Sequence, residues 1–256
     1  MKSRMTYQVG DSFVHQLHPL VKGAWLLALT VLVFAISLLS VVLSIVGFAV
    51  AMLLVARVSL KQNRHALALV VVTALTFGAF QVVFRDQGVF LAAVGPITIT
   101  DGGLRAGVYV AGRFLAVVLL SYLFVLTTDP NTLAYALMRA GLPYRFGFAA
   151  VTALRLVPIF EVEARTVYEA QLARGIGHDL RGPRAVLTWI RRLMLPILVS
   201  ALSKIDALAV SMEGRSFGRY PQRTFLRDVA FERRDALALA GLLFVIASAG
   251  LLAIRL

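Results

Sequence analysis

Two arginines stand where chemistry between proteins could occur. Ala173-Arg174-Gly175 closes one helix-forming segment, and Gly214-Arg215-Ser216 closes another. An arginine at a helix end, flanked by residues with little or no side chain, can enter a narrow groove. There its planar fork can take a carboxylate and carbonyls together. One such end alone reads as an ordinary helix terminus whose cation faces the negative end of the dipole. Two on one stretch of chain suggest two equivalent docking points, suited to a partner with two like halves.

Other residues with chemical potential fit simpler roles. Gly214, Ser216 and Gly218 spell G-x-S-x-G, but the nucleophile elbow needs a strand before the serine and a histidine partner. Here a helix precedes Ser216, and none of His15, His18, His65 and His178 is marked as its partner. His15 and His18 lack a clear third ligand for a metal, so a capping or interfacial role is expected. Glu161, Arg165 and Glu169 recur every four residues, as solvated pairs on a helix face do. The sequence carries no G-x-x-x-x-G-K-[ST], so ATP hydrolysis is not expected of this chain, and no metal or other cofactor is expected on it. Zero cysteines exclude disulfides and thiolate metal sites.

The elements that carry the two arginines look alike. One helix is expected to start near Pro158 and the other near Pro196, each ending in its Arg after four to five turns. In the second, Leu198, Ala201, Leu202, Ile205, Leu208, Ala209 and Met212 form one apolar stripe. Phe146 to Phe160 is expected to be a partly buried helix leading out of a membrane. Asp129-Pro130 marks another helix start, and Gly141 with Pro143 its end.

The rest of the chain is greasy and basic at once. Hydrophobic residues make up 59% and charged residues 15%, mean hydropathy is +0.83, and the net charge is +13. Disorder is excluded, a nucleic-acid partner is not expected, and a polytopic all-α membrane protein in a lipid bilayer remains. The residues before Ala24 are mixed and polar, so no cleavable signal peptide is expected. Ala24 to Ala56 is free of charge. As one helix it would be about 50 Å long against a hydrocarbon core of about 30 Å. It is read as two short spans turning near Ser37 to Ser44. Ala66–Phe84, Leu104–Leu126 and Ala236–Ile254 complete about five spans. Arg85 to Asp101 reads as a connector containing Gly88, Gly95 and Pro96.

Arg113 falls inside the fourth span, where a charge costs at least about 2.5–3.5 kcal/mol unless it is partnered. Backbone carbonyls of the bundle are the simpler partners; a partner protein is the alternative. Gly103, Gly107 and Ala111 form a small-residue stripe that would let another helix approach closely. Basic residues mass between Thr127 and Asp235, which holds 16 of the 26. The positive-inside bias then places the N-terminus and this stretch in the cytoplasm. The expected organisation is a membrane region over 1–126, a cytoplasmic coupling region over 127–235 and a final span over 236–256.

At these residues the chain resembles the transmembrane T component of energy-coupling factor (ECF) transporters, across nearly its full length. That family's hallmark is a pair of Ala-Arg-Gly or Ala-Arg-Ser tripeptides ending two coupling helices. Gly214 departs from the alanine usual there, which weakens the helix end by about 1 kcal/mol but keeps the site small. His15 to Lys22 (HQLHPLVK), Thr127 to Pro130 (TTDP) and Arg155 to Glu163 (RLVPIFEVE) are further family-like stretches.

The resemblance implies a subunit of an importer in a prokaryotic plasma membrane. Ala173, Arg174, Gly175, Gly214, Arg215 and Ser216 would dock two ABC ATPases, which use ATP and Mg. Leu198, Leu202, Ile205, Leu208 and Met212 would form a platform for a small membrane S component that binds a vitamin or transition-metal ion. The competing readings are a stand-alone membrane enzyme acting on a lipid or prenyl substrate and a conventional ABC permease.

Overall fold

A computed structural model describes residues 10, 12–36, 38–56, 64–85, 89–94, 97–175, 182–219 and 230–254. The described elements are helices except for one short hairpin. They run α1 (Phe13–Gln16), α2 (Pro19–Ala35), α3 (Leu39–Val55), α4 (Arg64–Phe84), β1 (Phe90–Val94), β2 (Ile97–Thr100), α5 (Asp101–Thr127), α6 (Pro130–Arg139), α7 (Tyr144–Ala173), α8 (Pro183–Gly214) and α9 (Arg233–Ile254). The chain is a polytopic all-α membrane protein. It divides into two compact units, residues 1–140 with 229–256, and residues 141–228. The 127–235 stretch is thus shared between them, because α6 groups with the membrane helices.

The five expected spans fall on α2, α3, α4, α5 and α9, and α8, expected as an amphipathic cytoplasmic helix, differs from that expectation in being as long and apolar as a span. Among the described residues, α4, α5, α8 and α9 are long and apolar enough to cross a membrane, while α2 and α3 have 17 residues each. The break between α2 and α3 lies between Ala35 and Leu39, at the early edge of the expected turn. Ser44 sits inside α3, where its hydroxyl returns to the Ser40 carbonyl at 2.7 Å. Ser37 lies outside the described residues. The 85–101 connector contains an antiparallel hairpin, with Phe90 opposite Thr100 and Ala92 opposite Ile99. The pairing gives backbone groups a partner between two spans. Of the expected connector residues, Gly88, Gly95 and Pro96 lie outside the described ones.

Arg113 explains where α2 can stop. Its guanidinium donates to the Phe34 carbonyl at 3.3 Å and to the Tyr109 hydroxyl, and stacks over the Tyr109 ring at 4.1 Å. Tyr109 in turn donates to the Ile36 carbonyl at 2.6 Å. The two side chains serve carbonyls at the end of α2, where the helix dipole is negative. The partner of the intramembrane charge is therefore the bundle's own backbone.

The small-residue stripe of α5 is a packing face. A Cβ added at Gly107 would lie 2.7 Å from the Gly78 carbonyl oxygen of α4, and one at Gly103 would lie 2.9 Å from the Arg85 carbonyl oxygen. A core of Leu29, Val33, Ile45, Ala49, Ala116 and Leu120 joins α2, α3 and α5.

The helix ends of the same unit are tied by polar groups. Lys22 donates to the His15 carbonyl at 3.1 Å and the Thr127 carbonyl at 2.8 Å. Asp235, only 2% exposed, accepts from the His18 N–H at 2.7 Å and the Glu232 N–H at 2.9 Å. The second bond is the return half of a capping box at the start of α9. His18 caps α2, accepting from the Leu20 N–H at 3.2 Å, and stacks on Phe231. Asp129 caps α6, accepting from the Asn131 N–H at 3.2 Å.

Candidate functional site

The second unit is built on α7 and α8. Both helices begin earlier than their prolines suggested: Pro158 and Pro196 are interior. The segment expected to lead out of the membrane, Phe146 to Phe160, is continuous with the helix that ends at Arg174. An interior proline removes one N–H donor and leaves the carbonyl four residues earlier without its helix bond. For Pro196 that carbonyl belongs to Arg192. The Gln171 side chain donates to it at 3.3 Å from α7.

Two more sets of contacts join the pair. Glu163 of α7 accepts from the Ser200 hydroxyl at 2.7 Å and from Lys204. These two bonds, with the attraction of the Lys204 charge, hold the Glu163 carboxyl below its usual range. Phe217, just past α8, packs on Phe148 with ring centroids 4.6 Å apart and on Tyr144 at 6.0 Å. Residue 148 thus meets 217, residue 163 meets 200 and 204, and residue 171 meets 192, so the helices are antiparallel. Their arginine ends consequently lie at opposite ends of the pair, roughly 35–40 Å apart along it at 1.5 Å per residue.

The two ends share one backbone design. Arg174 closes α7 at φ −82, ψ 5, and Arg215 closes α8 at φ −94, ψ 14. Each is followed by a left-handed residue, Gly175 at φ +77 and Ser216 at φ +54. Gly175 N–H returns to the Leu172 carbonyl at 2.9 Å, and Ser216 N–H to the Glu213 carbonyl at 2.9 Å. At the second end the Phe217 N–H also reaches the Met212 carbonyl at 3.0 Å, completing a Schellman turn. The left-handed turn after each Arg terminates its helix. Both arginines are exposed, and among the described residues neither guanidinium has a hydrogen-bond or ion-pair partner. A Cβ at Gly214 would meet nothing within 4 Å, so the departure from alanine is not forced by packing.

The apolar stripe of α8 also lies open. Leu198 is 59% exposed, Leu202 60%, Ile205 48% and Leu208 36%, and Met212 is half-buried. Ala173 is exposed beside Arg174. Glu161, Arg165 and Glu169 are exposed on α7, while Glu163 makes the cross-helix bond. Sequence reasoning missed Gln171, Ser200 and Lys204 as links. No signal in residue order marked them, because each bond joins two helices and Gln171 shows itself as a link only by its burial in the folded chain. Ser216 sits in the turn after a helix, without the strand–turn–helix of a nucleophile elbow. His15 accepts or donates at the Ser12 hydroxyl at 2.7 Å, and among the described residues no three His, Cys, Asp or Glu cluster as a metal site.

Comparison with known proteins agrees with this architecture. Residues 10–225 match the CbiQ family, described as cobalt transport protein. The chain is 27% identical over 245 residues to the energy-coupling factor transporter transmembrane protein EcfT of Streptococcus thermophilus, covering 93% of each chain. It is 30% identical over 247 residues to the protein of the same name from Limosilactobacillus fermentum, covering 92% of this chain and 91% of that one. It is also 25% identical over 245 residues to a longer protein of Bifidobacterium longum, named as an ABC transporter ATP-binding protein, of which the match spans 31%. With most of its length matched at both levels, the chain belongs to the CbiQ family of cobalt transport proteins, that of the energy-coupling factor transmembrane T components.

Proposed function

We propose that this chain couples ATP hydrolysis by two ABC ATPase subunits to the movement of a small substrate-binding membrane subunit. The observation that carries this reading is the pair of exposed arginines, unpartnered among the described residues and held in one backbone conformation at opposite ends of an antiparallel helix pair. Two equal ends suit two equal grooves. Each guanidinium would enter a groove on one ATPase and meet carboxylate and carbonyl oxygens there. Ala173, Gly175, Gly214 and Ser216 keep the approach narrow. The ATPases would bind and use ATP with Mg; this chain would bind neither and acts as a transporter subunit, without catalysis of its own. The match to part of a Bifidobacterium protein named for ATP binding supports an ATPase as the partner class.

The open stripe of Leu198, Leu202, Ile205, Leu208 and Met212 offers an apolar platform to the substrate-binding subunit. Apolar contact fits a partner that must tilt, since it imposes no fixed hydrogen-bond pattern. The cargo would be a vitamin or a transition-metal ion, held by that subunit. The excess of basic residues between Thr127 and Asp235 favours a cytoplasmic location for both arginine ends, with the N-terminus on the same side of the cell membrane.

Purification of the complex tests the proposal. The chain should bring down two ATPase subunits and one small membrane protein. Replacing Arg174 or Arg215 by Ala should weaken ATPase binding, and replacing both should abolish ATP-driven uptake while helix content persists. Normal uptake by the double variant would overturn the assignment.

A further inference from the structure

Pro196 leaves the Arg192 carbonyl without an internal donor, and the donor it finds comes from the other helix. Gln171 is 7% exposed, and its side-chain amide reaches that carbonyl at 3.3 Å. The same residue's own carbonyl accepts the Arg174 N–H at 3.2 Å. One residue therefore closes the turn that carries Arg174 and joins that turn to the interrupted turn of α8. A leucine would fill similar space and leave the Arg192 carbonyl unmet, while removing the Gln171 Oε1, a buried oxygen with no hydrogen-bond partner among the described residues; the side chain is kept polar for its one bond to Arg192. Pro158 of α7 offers a contrast: no described side chain donates to the carbonyl of Leu154, four residues before it.

We propose that Gln171 is a positioning residue that registers the Arg174 end against the Pro196 turn of α8. The inference rests on the docking role proposed for Arg174. The Gln171–Arg192 bond holds the Arg174 end in the register it needs for docking, and it carries a movement of the docked end to α8, whose far end carries Arg215. The two docking points are thereby tied through a cross-helix bond as well as through the membrane protein's chain.

The pairing predicts a specific rescue. Pro196→Ala restores an N–H that can bond the Arg192 carbonyl inside α8, so Gln171 should then become dispensable. The test is a double-mutant cycle on the full chain assembled with its copurifying ATPases. In the native background, Gln171→Leu should lower the affinity for the ATPases about tenfold, because the Arg174 end loses its register for docking, a change within the range of coupling between contacting residues. Pro196→Ala alone should stay within about twofold, and Gln171→Leu in that background should cost no more than about twofold further. Circular dichroism of each variant checks that helix content is kept. A residue that merely fills space would cost the same in both backgrounds, and that result overturns the inference. So does a tenfold loss from Pro196→Ala alone. Arg174→Ala in the same assay separates the two readings. If it leaves affinity unchanged, the docking role itself fails. If it weakens binding while the cycle is additive, only the role of Gln171 fails.

Discussion

Lys22 places its ammonium group 2.8 Å from the carbonyl oxygen of Thr127, 105 residues away in sequence. The contact joins the start of α2 to the end of α5, and so brings together two of the family-like stretches, HQLHPLVK and TTDP. Lys22 is only 9% exposed, and the nearby Asp235 supplies its countercharge while capping α9. The α5 terminus carries the negative end of a 27-residue helix, which favours a cation there. Three helix ends thus share one buried polar cluster.

Lys22→Met should therefore destabilise the protein by about 1–3 kcal/mol, because it leaves the buried Thr127 carbonyl and the His15 carbonyl without their donor and removes the cation whose field acts on Asp235. The double change Lys22→Met with Asp235→Asn should recover part of that loss, since Asn keeps an acceptor for the His18 N–H. Thermal unfolding in detergent, followed by tryptophan fluorescence, measures both. Trp25 reports directly, since its indole donates to the Ala238 carbonyl at 3.1 Å between α2 and α9. Equal stability of the single and double variants would remove the charge argument.

The apolar helices and the arginine ends could be read from residue order because they depend on local signals. Charge-free runs, an Asp-Pro start, a small residue every fourth position and an Arg before Gly or Ser are each written within a few residues. The prolines could not be read the same way. Pro at a first turn and Pro inside a helix are one letter, and only a neighbour such as Gln171 decides whether the interruption is accommodated. Phe90–Val94 and Ile97–Thr100 were hidden for a similar reason. Their pairing is a relation between two segments, and neither alone distinguishes a strand from a connector. Glu163 was legible only as one carboxylate among several, because Ser200 and Lys204 lie on another helix.

The α4–α5 contact predicts a steep size dependence. Gly107→Ala puts a methyl group 2.7 Å from the Gly78 carbonyl oxygen and 2.8 Å from a Val82 methyl, so backbone must move. About 1–3 kcal/mol of destabilisation is expected, and Gly107→Leu should exceed it. Gly47→Ala serves as the control, because its Cβ would meet nothing within 4 Å. Thermal unfolding that ranks Gly107→Ala with Gly47→Ala would mean that α4 and α5 do not meet on this stripe.

Ser216 predicts a gain. At φ +54 it holds a left-handed conformation that costs a side chain about 1 kcal/mol or more. Ser216→Gly relieves that cost, although Gly also loosens the unfolded chain, so a net gain of a few tenths to about 1 kcal/mol is expected. Slower hydrogen exchange at the Ser216 and Phe217 positions would register it. Ser216→Val should do the reverse, since a β-branched residue tolerates positive φ poorly. Faster exchange in the glycine variant would contradict the turn assigned to this end.

The Glu163–Lys204 link gives the second unit a sensitivity to acid whose direction is fixed. The bonds from Lys204 and Ser200 lower the Glu163 carboxyl from its ordinary value of 4.5. A carboxyl lowered in the folded state adds stability that is complete above the unfolded value and disappears as pH falls through the folded one. The α7–α8 contact should therefore hold unchanged from neutral pH down to about 5 and loosen below the ordinary carboxylate range. Spin labels at the exposed positions Arg165 and Leu202 would report the helix separation through that window. Glu163→Gln should flatten the profile, because an amide does not titrate there, and it should weaken the contact at neutral pH by removing the charge that Lys204 meets. Lys204→Met should shift the onset of loosening upward, towards the ordinary carboxylate value, with the Ser200 bond limiting the shift. A separation that changes with pH identically in the native and Glu163→Gln proteins would place the acid response on other groups.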